Sequence, residues 1–237
     1  LNNKTLGFSN LVALNDPFEA SYSYVHYFSS TERFNNLSKN NVEEAKCIER
    51  VKGIIDSELS KYVVTCFTRT PNEPLMWAHY AEQHKGVCYC FDKTQLFNGE
   101  SYKYSDIQYS NRRAKVRFFE NSTTKEELKS QLGDVICSKS DAWSYEKEFR
   151  YYAPSKSLIH NFEAKALVAI ILGCRFNKDN IIKIKTLIDN YNNENNHIVK
   201  LYYSTMSGSL YEMVIQKMDV TSDDTRYDVV SNEEPIQ

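Results

Sequence analysis

Hydrophobic positions recur along this chain at two periods, and these lay out the elements before any chemistry is considered. Ala45, Ile48, Val51, Ile55 and Leu59 fall at helical spacing, which predicts an amphipathic helix over 42–61. Leu128, Leu132, Val135 and Ile136 predict another over 125–140, and a third is expected over 179–191. Short β-branched and aromatic runs predict strands at 6–9, 62–68 (YVVTCFT), 87–91 (VCYCF), 102–109, 197–203 and 211–216. The most apolar run, 166–172 (ALVAIIL), is closed by Gly173 and predicts a central strand. Asn15-Asp16-Pro17 carries a helix start signal, so 17–28 is expected to be helical. Pro71 and Pro74 end the 62–68 strand and open a short helix over 75–84, which Gly86 stops. Residues 29–41 are polar and read as a loop.

The stretch 145–152 alternates. Tyr145, Phe149 and Tyr151 share one face of a predicted strand, and Glu146, Glu148, Arg150 and Tyr152 share the other. Because strands come without regular βαβ alternation, the expected class is α+β: a mixed, mainly antiparallel sheet with flanking helices in a single domain. That domain is expected over 1–218, followed by a polar tail over 219–237. Leu1 to Leu6 reads as a helix end leading into a strand, so the chain is expected to lack its native N-terminal strand.

Composition changes this picture only at the margins. A chain of 237 residues, 41% hydrophobic and 25% charged, can bury a proper core, and its 17 Tyr make it rich in amphipathic aromatics. A net charge of -2 gives no electrostatic drive toward nucleic acid or anionic lipid, and no apolar run approaches the roughly 20 residues that span a bilayer. A cytoplasmic protein with no membrane partner is the expectation. Its cysteines (Cys47, Cys66, Cys88, Cys90, Cys137, Cys174) form no CxxC pair and are expected to be reduced and mostly buried. The seven glycines make no phosphate loop, dinucleotide fingerprint or nucleophile elbow, and no HExxH is present, which disfavours the enzyme classes built on them. Cys88 and Cys90 near His79 and His84 invite zinc, but CxC inside an apolar strand is poor ligand geometry, and no metal is expected.

Three strings hold most of the remaining information: Asn15-Asp16-Pro17-Phe18-Glu19; WxHYAxxHKGVxxxFD from Trp77 to Asp92; and WxYEKEFR from Trp143 to Arg150. With Ile170-Ile171-Leu172-Gly173 they resemble, in order and spacing, the bacterial domain-of-unknown-function family DUF2971 across most of 1–217. The resemblance implies a Tyr-rich strand and helix ahead of Leu1 in relatives. The layout is more distantly similar to ADP-ribosyltransferase-type toxins, in which an early strand carries a His or Arg and a late strand a Glu.

That second resemblance implies an enzyme that uses NAD as co-substrate. Glu148 would be the catalytic carboxylate, Glu146 its helper and His79 a proton-transfer group, with Tyr80, Trp77, Arg150, Asn15 and Asp16 lining the nucleotide pocket. The residue chemistry is compatible: same-face carboxylates about 7 Å apart can hold a ribose hydroxyl and stabilise an oxocarbenium-like charge, and Arg can grip a diphosphate bidentately. Each residue also has a plainer reading. The carboxylates and Arg150 could pair across a solvated strand face, Met76, Trp77 and Tyr80 could anchor a helix, and Asn15-Asp16 could cap one; Lys85 and Lys139 read as surface charges. The rival function is a non-catalytic module of a bacterial defence system that senses a nucleotide, a small molecule or a protein partner. A shared site requires a side chain of His79 or Tyr80, and one from Asn15 to Glu19, within about 10 Å of the Glu148 carboxylate.

Overall fold

A computed structural model describes residues 3–27, 40–97, 102–119, 123–219 and 228–230. The chain is α+β, with helices and several mainly antiparallel sheets, the class its periodicities predict. Its contacts gather in two compact units assembled from interleaved stretches: 1–6, 68–100 and 159–237 in the first, and 7–67 and 101–158 in the second. Among the described residues no helix is long and apolar enough to cross a membrane.

The first unit is organised by Leu167–Leu172, the apolar run. It pairs parallel with Lys200–Met206 and antiparallel with Val87–Phe91. Met213–Asp219 extends this sheet beyond Lys200–Met206, and Asp228–Val230 adds to it from within the stretch read as a polar tail. Burial on both faces explains why Leu167–Leu172 is almost continuously apolar. On one face Trp77, Ala81, Ile171 and Met213 form a buried cluster. Trp77 comes from the Pro74–Tyr80 helix, capped by Glu73, whose side chain accepts from the Leu75 N–H. The helix Ile181–Asn195 buries Ile181, Ile188 and Tyr191 along one side.

Beyond Tyr80 the chain turns through Glu82, Gln83 and His84, all with positive φ (46°, 56° and 70°), before Gly86. This turn is strapped to the end of the apolar strand: the Gly173 N–H donates to Gly86 O and the Arg175 N–H to His84 O, both at 3.0 Å. A Cβ on Gly173 would stand 2.1 Å from His84 O, which is why the ILG string must end in glycine.

In the second unit Cys47, Val51, Ile55 and Leu59 recur every four residues along the buried side of the Asn40–Leu59 helix. They share a core with Leu128, Leu132, Val135 and Ile136. The predicted 125–140 helix is instead two, Lys125–Ser130 and Leu132–Ile136, followed by a short strand, Ser138–Lys139. A four-stranded sheet runs Ser9–Asn10, Tyr62–Thr68, Glu148–Pro154, Lys103–Asp106.

The helix expected over 17–28 does not form. Asp16 Oδ1 accepts from the Phe18 N–H at 2.9 Å, closing a side-chain turn rather than capping a helix, and Ala20 has φ 51°. The chain then enters a strand, Tyr22–Tyr27, parallel to Ala114–Phe119. The cysteines also depart from expectation, since Cys66 is exposed and Cys88, Cys90 and Cys174 are half-buried.

Candidate functional site

The polar centre of the second unit is built where four local structures end. Pro17–Ala20 forms a tight turn, with the Glu19 N–H donating to Asp16 O at 3.0 Å, and this directs the Glu19 side chain inward to 2% exposure. The Ser138–Lys139 strand pairs with Gln108–Tyr109, which fixes Lys139. A 3-10 helix, Asp141–Glu146, is capped by Ser140 and ended by Lys147 in left-handed conformation (φ 43°). Glu148 then opens its strand, its N–H donating to Tyr109 Oη at 2.8 Å and its carbonyl accepting from the Ile107 N–H.

Glu146 and Glu148 are therefore not alternate residues on one strand face. Glu146 closes the 3-10 helix, Glu148 begins the strand, and the reversal at Lys147 folds both carboxylates into the interior. Lys139, read as a surface charge, is buried at 8% exposure because it neutralises them: its ammonium lies 2.5 Å from Glu146 Oε2 and 3.0 Å from Glu148 Oε2. It also stands 3.5 Å from Glu19 Oε1 and 5.0 Å from the centre of the Trp143 ring.

Arg150 has no exposed surface and commits every N–H of its guanidinium. Nε and NH2 donate to Glu148 at 2.6 and 3.2 Å, NH1 and NH2 donate to Glu19 at 2.9 and 2.7 Å, and NH1 also donates to the Ile136 carbonyl at 2.7 Å. Two forked carboxylate pairs on one guanidinium are the arrangement for which Arg, unlike Lys, is shaped.

Burial alone would raise the Glu148 pKa. The hydrogen bonds and charge of Arg150, with the charge of Lys139, bring it down to about 2. Burial likewise opposes the charges of Lys139 and Arg150, and their carboxylate partners hold both pKa values above the ordinary range. The cluster sets Glu19, Glu146 and Glu148 against Lys139 and Arg150, with all five side chains almost fully buried.

The sequence-derived candidates thus fall into two places. Glu146, Glu148 and Arg150 converge, and Glu19 joins them through Lys139, within the 10 Å expected of its turn. Asp16, 5% exposed, shapes that turn; Asn15 beside it is exposed. Trp77, His79 and Tyr80 belong to the other unit. There Trp77 is buried at 3% exposure and its indole N–H donates to Pro71 O at 2.7 Å, while His79 is exposed and Tyr80 is 50% exposed. The imidazole and phenol rings meet edge to face, 6.3 Å apart. The sequence pattern put Lys139 among the surface charges, where the structure buries it, and placed Glu19 only as part of a string. A partner 131 positions from Arg150 leaves no periodic signal, although burying several carboxylates together demands nearby cations.

An α+β protein with an internal ion cluster and an exposed aromatic helix is the class these features define. Residues 76–151 match the family model described as protein of unknown function, DUF2971, the family that the two long strings resemble. No curated protein and no solved structure matches the chain. The matched stretch holds Trp77–Tyr80 in the first unit and Lys139, Glu146, Glu148 and Arg150 in the second.

Proposed function

We propose that this protein is a recognition module rather than a transferase, with its ligand or partner held at the Pro74–Tyr80 helix and the Glu148 cluster acting as an internal clamp. One observation carries the reading: both oxygens of the Glu148 carboxylate are bonded to Arg150 or Lys139 inside a buried network. To hold a ribose hydroxyl or stabilise an oxocarbenium-like charge, that carboxylate must face the substrate. Doing so would break two bonds of Arg150, a fully buried cation, and leave Glu19 as its one carboxylate partner, at a cost of several kcal/mol. The diphosphate role suggested for Arg150 meets the same obstacle, since its donors are all engaged.

The helix offers what a recognition surface needs: a buried indole that fixes it in place, and beside it an exposed His79 and half-exposed Tyr80 that give one imidazole and one phenol for contact. Incubation with NAD is expected to release no nicotinamide above the buffer rate. Any growth effect of expressing the protein is expected to survive Glu148→Gln, scaled only by the amount of folded protein, and to disappear with Tyr80→Ala. Nicotinamide release that vanishes in a Glu148→Gln protein still folded by circular dichroism would refute the recognition reading and restore the NAD-using transferase.

A further inference from the structure

The strand Val87–Phe91 stands at the end of its five-stranded sheet and sets Cys88 opposite Ile171 and Cys90 opposite Ala169. Residues two apart on a strand point to the same face, and both cysteines, with Cys174, pack against the cluster of Trp77, Ala81, Ile171 and Met213. Both are half-buried rather than sealed. Two rises along a strand separate their Cα atoms by roughly 6.4–6.8 Å, at the upper edge of the separations a disulfide spans. The register shift between Leu167 and Ala169 puts an extra residue in the partner strand, opposite the step from Cys90 to Phe91, and Val87–Phe91, at the end of the sheet, is held by Leu167–Leu172 alone among the described strands of that sheet.

We propose that Cys88 and Cys90 are an oxidation site that closes into a reversible disulfide within the strand, with a hydroperoxide as oxidant. Cys88 Sγ, as thiolate, attacks the peroxide; the O–O bond breaks, water leaves after taking up a proton, and Cys88 becomes a sulfenic acid. Cys90 Sγ then attacks the Cys88 sulfur, the S–O bond breaks, and the departing hydroxide takes the Cys90 proton to leave as a second water. Two thiols are oxidised to one disulfide, and one hydrogen peroxide is reduced to two waters.

The order of attack follows from the asymmetry of the two thiols: interaction with Cys90 lowers the Cys88 pKa despite burial, while interaction with Cys88, together with burial, raises that of Cys90. A bridge at the limit of its span is strained and readily reduced, which suits a switch and not a structural staple.

Trypsin makes the test direct, because residues 86–93 (GVCYCFDK) hold both cysteines and no other. The folded protein is treated with hydrogen peroxide, its free thiols are alkylated with iodoacetamide, and it is then digested. The expected peptide carries no alkyl group, is about 2 Da lighter than its dithiol, and regains two alkylation sites after dithiothreitol; Cys174→Ser gives the same product. A peptide with both thiols alkylated, bridged to another cysteine, or oxidised only to sulfinic acid overturns the proposal. The result does not depend on what the Pro74–Tyr80 helix binds.

Discussion

Replacing Arg150 by lysine keeps the buried charge and changes only the shape of its donors. Arg150 makes five hydrogen bonds to Glu19, Glu148 and the Ile136 carbonyl. A lysine ammonium has three N–H groups radiating from one atom, so at least two of those bonds go unmade while their acceptors stay buried. At roughly 1–3 kcal/mol for each stranded acceptor, Arg150→Lys should cost about 2–6 kcal/mol. Arg150→Met also removes the cation and should cost more, because Lys139 is left to neutralise Glu19, Glu146 and Glu148. Urea unfolding followed by far-ultraviolet circular dichroism measures both. With a slope of about 2–3 kcal/mol per molar, the lysine variant's midpoint should fall by roughly 0.7–3 M, and the methionine variant's should lie lower still. If both midpoints stay within about 0.2 M of wild type, the cluster contributes nothing to stability and the clamp argument fails.

The clamp also has a pH signature. The Glu148 pKa is about 2 in the folded chain against 4.5 for an ordinary glutamate, so its stabilisation is complete above about pH 4.5 and is lost as the pH falls toward 2. That amounts to about 3 kcal/mol, and urea midpoints at pH 5 and pH 3 should differ less in Glu148→Gln than in wild type. Gly173→Ala should sharply reduce folded yield, since its Cβ would fall 2.1 Å from His84 O. Gly53→Ala, in the Asn40–Leu59 helix with nothing within 4 Å of its Cβ, should raise the thermal midpoint by the equivalent of up to about 1 kcal/mol; a neutral Gly173→Ala would mean the strap at His84 is loose.

What was legible in the sequence was whatever one period could express. The Asn40–Leu59 helix and the strands Tyr62–Thr68, Val87–Phe91 and Leu167–Leu172 follow from spacing because each buries one face or both. Tyr22–Tyr27 was hidden by Pro17, whose helix-starting signal is equally the signal of an Asp16 side-chain turn. The alternation in YSYVHY was the better guide, and AKVRFF, with Val116 and Phe118 buried, alternates likewise. The site was half visible. Glu146, Glu148 and Arg150 stood out as a string, but their geometry depends on Lys147 at φ 43°, a conformation nothing in a lysine announces. Lys139 looked like any surface lysine, because its burial follows from where other segments end rather than from its own neighbours.

The interleaving of the two units sets an order on biosynthesis. All stretches of the second unit have left the ribosome once residue 158 emerges, so its ion cluster can close while the chain is still growing. The first unit cannot. Val87–Phe91 must wait for Leu167–Leu172, made about 80 residues later, which at ribosomal speeds of roughly 5–20 residues per second is about 4–16 s. During that interval Cys88, Cys90 and the Trp77 helix have no sheet to pack on, and this nascent segment is where chaperone engagement and premature thiol oxidation would concentrate.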